Sequence, residues 1–223
     1  MDYKINNIFF LLDLDGTILD TDRLQYESYK EVLLTNYNYL LTYTKFDEIT
    51  NTTGMKSFII NNFGKNQYEI IKNNKDLHFI NLPREDNTRT IQYMKNAEVL
   101  IDYIITNNVN YAIVTNSYKS MVNYYKNKIP KLKLLHNWVT RDDYNLPKPN
   151  KEPYIIGLTK YKNNEKYVIG IENTILGYHS LVQVTNNIYI VSEETSYNYN
   201  FFKEKDVCII SNYMDVLHKI NNS

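Results

Sequence analysis

The chain has 223 residues, 43% of them hydrophobic, with 25 Lys+Arg balancing 25 Asp+Glu; this length suits one domain, or a core domain with a smaller insert, whose core needs no disulfide or metal staple. Net charge zero excludes a strongly basic nucleic-acid binder, and the single cysteine, Cys208, excludes a disulfide framework and fits a reducing compartment. The longest apolar runs, such as residues 8–12, fall far short of the ~20 residues of a membrane helix, and the N-terminus carries no signal-peptide pattern, so a cytoplasmic protein without membrane attachment is expected.

The first predicted element is an apolar block over residues 8–14 that ends in acidic residues. From 21 to 87 there is helical periodicity and no strand. A helix carries Leu24, Glu27, Ser28, Val32, Leu33 and Leu34, with Asp20 or Thr21 as candidate N-cap. A second covers 57–62, between Gly54 and Gly64, and a third starts at 67–72. This stretch is too long for a simple crossover and reads as a helical insert after the first strand. Beyond it, helices at 97–107, 118–128 and 152–161 alternate with apolar blocks at 111–114, 138–139 and 167–171, and further blocks follow at 188–191 and 207–210. Nearly continuous apolar runs indicate strands buried on both faces, and their alternation with helices predicts an α/β protein with a parallel sheet. Trp138 and Cys208 read as core residues, and Glu193-Glu194 as a solvated loop. Asn, Ile, Lys and the 22 tyrosines have AT-rich codons. Their abundance reads as codon bias, and the tyrosines are too scattered to suggest a base-stacking surface.

The sharpest chemical signal is Asp13-Leu14-Asp15-Gly16-Thr17 at the end of the first apolar block. In an open α/β sheet, ligands bind beyond the carboxyl ends of the strands. Strand alternation would place both carboxylates on one face. Gly16 permits a sharp turn, and Thr17 brings a hydroxyl that bonds locally. Such a pair suits a nucleophile and a general acid/base with a hard cation between them.

Four stretches in order resemble the motifs of the haloacid dehalogenase-like hydrolase superfamily, in the branch with an α-helical cap after the first strand that holds β-phosphoglucomutase-like and phosphatase-like members. They are the Asp13–Thr17 run; Ile113-Val114-Thr115-Asn116-Ser117; Lys148-Pro149-Asn150-Lys151-Glu152-Pro153-Tyr154; and Gly170-Ile171-Glu172-Asn173-Thr174. The resemblance implies a Rossmann-like parallel sheet core with helices on both faces, over residues 1–20 and 88–223, and an all-helical cap over 21–87. It implies Asp13 as nucleophile and Asp15 as acid/base. Thr115 and Asn116, with Gly16 and Thr17, would hold the phosphoryl group, Lys148 would clamp nucleophile and phosphate, and Lys72 in the cap would face substrate. Mg²⁺ would be held by Asp13, the Asp15 carbonyl, Glu172 and Asn173.

The fourth motif departs from the pattern. Asn173 stands where that branch has an aspartate that touches the metal. An amide oxygen is still a ligand, but a neutral one. Either Glu172 restores the charge, directly or through water, or the metal binds weakly. Asp15 disfavours dehalogenation and phosphonate cleavage, whose enzymes lack this aspartate. Gln25 and Ser57 replace the His and Arg that mutases of this kind carry. The expected function is a Mg²⁺-dependent phosphatase of a small phosphorylated metabolite, with no nucleic-acid or membrane partner. A sugar-phosphate mutase and a catalytically weakened phospholigand-binding protein are the alternatives.

Overall fold

The computed structural model describes residues 7–82, 90–205 and 207–221. The chain divides into two compact units, residues 1–20 with 92–223, and residues 21–91.

The first unit is built on β1 (Ile8–Leu12), β4 (Asn110–Val114), β5 (Trp138–Val139), β6 (Tyr167–Glu172), β7 (Asn187–Val191) and β8 (Cys208–Ile210). They form one sheet in the order β5-β4-β1-β6-β7-β8, with every pairing parallel. Each residue of β1 is buried, because both neighbours in the sheet are parallel strands and both faces are covered. Phe9 and Leu11 join Ala112, Val114, Ile188 and Ile190 in one core cluster. Phe10 and Leu12 are equally buried and alternate to the opposite face. Helices α5 (Ala97–Thr106), α6 (Lys119–Lys128), α7 (Glu152–Tyr161), α8 (Ile175–Leu181), α9 (Tyr199–Lys203) and α10 (Tyr213–Asn221) complete the unit. Tyr154 of α7, Leu181 of α8 and Phe202 of α9 pack into the cluster that holds Phe9 and Leu11. The architecture is the Rossmann-like α/β fold with an all-helical insert.

The sequence order of the strands reverses at β1, so β4 and β6 flank it from opposite directions. A doubly wound sheet opens its ligand crevice at that point, beyond the strand carboxyl ends. Asp13 follows β1, Thr115 follows β4 and Glu172 closes β6.

The strand stops at Leu12, two residues earlier than the apolar block suggests. Asp13 still donates its N–H to Ile171 O at 3.0 Å, but the chain then coils around the Leu14 carbonyl, which accepts from the N–H groups of Thr17, Ile18 and Leu19. Gly16 takes φ +72° in this turn. Two short strands were not foreseen. β2 (Leu19–Asp20) and β3 (Gln92–Tyr93) pair antiparallel and bring the two chain segments that border the insert side by side. Trp138 is buried as expected. Cys208 is only partly buried, because β8 is the edge strand of the sheet.

The second unit contains α1 (Asp22–Tyr37), α2 (Tyr43–Thr52), α3 (Met55–Phe63) and α4 (Lys65–Asn81). Thr21 is the N-cap of α1 but makes no side-chain capping bond. The unforeseen α2 is capped by the Thr42 side chain, which accepts from Lys45 N. The unit has its own core of Tyr26, Val32, Leu33, Leu41, Phe46, Ile49, Phe58, Ile59 and Ile71. Aromatic contacts run through it, such as Tyr39 against Phe63 edge-on at 5.6 Å.

Candidate active site

Lys148 organises the site. Its side chain is 3% exposed, and its ammonium donates to Asp13 Oδ1 at 2.6 Å, Glu172 Oε1 at 2.6 Å and Val114 O at 2.9 Å. Those three bonds match the three donors of an ammonium. It also lies 4.7 Å from the ring centroid of Tyr154. The loop before α7 delivers it, held down by Glu152, whose carboxylate accepts from the N–H groups of Asn145 and Leu146 at 2.9 Å.

Glu172 is enclosed by protein donors. Besides Lys148, Oε1 accepts from Tyr154 OH at 2.7 Å. Oε2 accepts from Asn173 N at 2.9 Å and Thr174 N at 3.3 Å. A carboxylate suits these first N–H groups before a helix. Gly177 makes room for it: a Cβ at that position would sit 2.0 Å from the Glu172 carboxyl carbon.

Asp15 lies on the other side of the first turn. Its Oδ2 accepts from Ser117 Oγ at 2.7 Å and Thr115 Oγ1 at 3.2 Å, and its Oδ1 from Tyr125 OH at 2.8 Å. Thr115 is anchored by its own N–H to Val139 O at 2.9 Å, and its hydroxyl accepts from Ser117 N at 2.9 Å. Asp13 and Asp15 therefore answer to different partners, because the coil after Asp13 replaces strand alternation.

A third group centres on Asn173. Thr17, fully buried, donates its hydroxyl to Asn173 Oδ1 at 3.2 Å. The Thr17 carbonyl accepts from Tyr213 OH at 2.6 Å. Asn198 Nδ2 donates to the Asn173 carbonyl and accepts at Oδ1 from Ser192 Oγ at 2.8 Å.

The structure thus joins Asp13, Lys148 and Glu172 in one hydrogen-bonded group, Asp15 with Thr115 in a second, and Thr17 with Asn173 in a third. The Asn116 side chain turns elsewhere, with its Oδ1 2.6 Å from Tyr144 OH. Lys72 belongs to the helical unit, on α4, where its ammonium reaches Asp76 at 3.3 Å. Ser117, Tyr125, Asn198 and Tyr213 were not singled out from the sequence. Ser117 was legible within its motif, but nothing in the local sequence distinguishes the other three.

Burial pushes the Asp13 carboxyl up to about 7, Glu172's charge adds to the rise, and Lys148 opposes it. Burial also works against the Lys148 charge, but Asp13 and Glu172 outweigh it and hold the ammonium well above its usual range. One cation serves two carboxylates, so when both are ionised one buried negative charge is left over.

That surplus bears on whether Mg²⁺ fits. The donor set would be the Asp13 carboxylate, the Asp15 carbonyl and the Asn173 amide oxygen. These are hard oxygen ligands, as Mg²⁺ requires, and the surplus charge is of the right sign. Among the described residues no three His, Cys, Asp or Glu side chains converge as a metal-binding group. The chemistry of the set explains this, since one ligand is a backbone carbonyl and another an amide. The residues fit the ion, with one charge fewer than an aspartate at position 173 would bring.

The family model of haloacid dehalogenase-like hydrolases matches residues 10–183. No curated protein sequence matches the chain. Solved structures share its fold. The protein CbbY from Rhodobacter sphaeroides, in complex with phosphate, superposes with a TM-score of 0.78 at 16% identity, covering 93% of this chain and 95% of its own. A variant of the same protein in complex with xylulose-1,5-bisphosphate gives 0.75 at 15% identity, covering 92% and 94%. A family IA, variant 3 hydrolase from Entamoeba histolytica gives 0.77 at 17% identity, covering 96% and 97%.

Two outcomes follow from this geometry. In Gly177→Ala the new methyl displaces the Glu172 carboxylate from these donors. Urea denaturation should show a loss of about 3 kcal/mol or more; an unchanged midpoint would show that Glu172 relocates freely. For Asp13, a folded-state value near 7 against an ordinary 3.8 means that the folded protein favours the protonated acid. The stability linked to that proton is present below pH ~4 and lost as pH rises toward 7. Metal-free Asp13→Asn lacks this titration. Its melting temperature should gain on wild type across that window by on the order of 5 °C, and parallel curves would refute the shift.

Proposed function

Because the chain belongs to the haloacid dehalogenase-like hydrolase family, we infer that it is a Mg²⁺-dependent phosphatase that hydrolyses a small phosphorylated metabolite through a phosphorylated Asp13. The observation that carries this reading is the Lys148 ammonium 2.6 Å from Asp13 Oδ1 at the point where the sheet order reverses. A nucleophilic carboxylate needs such a cation beside it, because both it and the phosphate are anionic.

Asp13 attacks phosphorus in line. Its oxygen bonds to phosphorus as the bond to the leaving oxygen breaks, and Asp15 gives that oxygen a proton. Asp15 then takes a proton from water as the water oxygen attacks phosphorus, releasing phosphate and restoring the Asp13 carboxylate. Thr115, the N–H groups that follow it, and Lys148 donate to the phosphoryl oxygens, whose charge spreads in the transition state. Asp13, the Asp15 carbonyl and Asn173 would hold Mg²⁺, and Glu172, next to Asn173 in the chain, would add its negative charge. The ion, when bound, neutralises the repulsion between nucleophile and phosphate. The phosphate and xylulose-1,5-bisphosphate seen with CbbY support a phosphorylated sugar or similar metabolite as substrate. Gln25 and Ser57, standing where mutases carry His and Arg, favour hydrolysis over isomerisation.

One observation favours a second reading, a ligand-binding protein with little turnover: the neutral Asn173, whose Oδ1 already accepts from Thr17. A Mg²⁺ titration with an aryl phosphate separates the two. Turnover that rises with the ion supports the phosphatase, and none at any concentration supports the binding protein. Asn173→Asp should lower the Mg²⁺ concentration for half-maximal rate about tenfold; no change would show that residue 173 is not a ligand. Asp13→Asn should lose turnover by about 10³-fold or more, and a rate near wild type would remove the nucleophile assignment.

A further inference from the structure

We propose that Tyr125 is a positioning residue for Asp15, fixing the plane of the carboxylate that protonates the leaving group. The proposal rests on the phosphatase reading and deepens it.

The argument begins with burial. Tyr125 is among the largest fully buried side chains of the protein. It lies on α6, an element separate from the strand ends that supply the other groups. A buried phenol is costly unless its hydroxyl finds a partner. Here the partner is Asp15 Oδ1, at 2.8 Å and 110 residues away in sequence. Ser117 and Thr115 hold Oδ2 instead. Carboxylate torsions are broad and roughly two-fold, so one bonded oxygen leaves the group free to rock. Two oxygens held from different elements define its plane.

A phenol is also chemically apt. A hydroxyl both donates and accepts. Tyr125 donates to Oδ1 whether Asp15 is carboxylate or acid, which leaves the acid's one proton for the departing oxygen, so the contact survives the transfer. The proton that reaches the leaving oxygen comes from Asp15, and Tyr125 keeps its own. A lysine at this place would hold Asp15 as the carboxylate, and a phenylalanine would not bond it.

The test compares leaving groups in the first turnover, with Mg²⁺ present. An alkyl phosphate needs a proton on its departing oxygen, whereas a nitrophenyl phosphate departs as the anion. Tyr125→Phe removes one oxygen and keeps the ring. Release from the alkyl substrate should fall about tenfold or more, release from the aryl substrate should stay within about twofold, and KM should not move. Asp15→Asn, which removes the acid itself, should lose more on the alkyl substrate than Tyr125→Phe does. Equal loss on both substrates, or loss on neither, overturns the proposal, because damaged packing does not distinguish leaving groups. If Tyr125→Phe melts well below wild type, the two substrates are compared at a temperature where the variant stays folded, and the same selectivity must appear for the proposal to stand. If wild type releases neither leaving group, the phosphatase reading itself has failed and the proposal falls with it.

Discussion

A single buried ammonium shared by two carboxylates sets the conditions for the rest of this site. Lys148 stands 2.6 Å from both Asp13 and Glu172. Burying an ion is expensive unless it is paired and hydrogen-bonded. Lys148 satisfies this fully, with all three donors engaged. Glu172 satisfies it as well, through Tyr154 and two backbone N–H groups. Asp13 has the least support of the three, so it is the carboxylate whose charge is most costly and that a proton or a cation neutralises. The carboxylate left reactive is the one the fold supports least.

The sheet makes this arrangement possible. Asp13 and Lys148 are 135 residues apart in sequence, and no local motif brings them together. They meet because β1 lies at the reversal of strand order, where the ends of β4 and β6 open on either side of it. Three details then preserve the geometry. The absent side chain of Gly177 leaves space for the Glu172 carboxylate. The coil around Leu14 turns the chain away after Asp13. Tyr213, from the last helix, holds the Thr17 carbonyl and so pins the far end of that coil.

The sequence shows the frame of this site more clearly than its bracing. The strands were legible because doubly covered strands are apolar almost throughout, and the catalytic candidates because they stand where such runs end. The insert was legible as helical, but α2 was not separately visible, since only Phe46, Ile49 and Asn51 of its ten residues are buried. Lys148 gains its meaning only from order, because a lone lysine reads as a surface residue. The bracing hydroxyls stayed hidden for a related reason. Tyr125 and Tyr213 look like any core tyrosine, and their partners lie 110 and 196 residues away. Reading the tyrosines as codon bias explains their number and overlooks their use. Tyr125, Tyr154 and Tyr213 are all fully buried, and each aims its hydroxyl at a group of the site.

Asn173 follows from the same charge accounting. A carboxylate there would add another negative charge to a cluster in which one ammonium already serves two. Without a metal, that charge would raise the repulsion inside a buried space. The amide removes it and keeps an oxygen, which the Thr17 hydroxyl orients from one side while Asn198 holds the backbone carbonyl. The same neutrality weakens the pull on a divalent ion, since affinity at such sites follows ligand charge. On the proposed reading, the chain therefore exchanges metal affinity for a metal-free site under less electrostatic strain, and residue 173 is where that exchange is set.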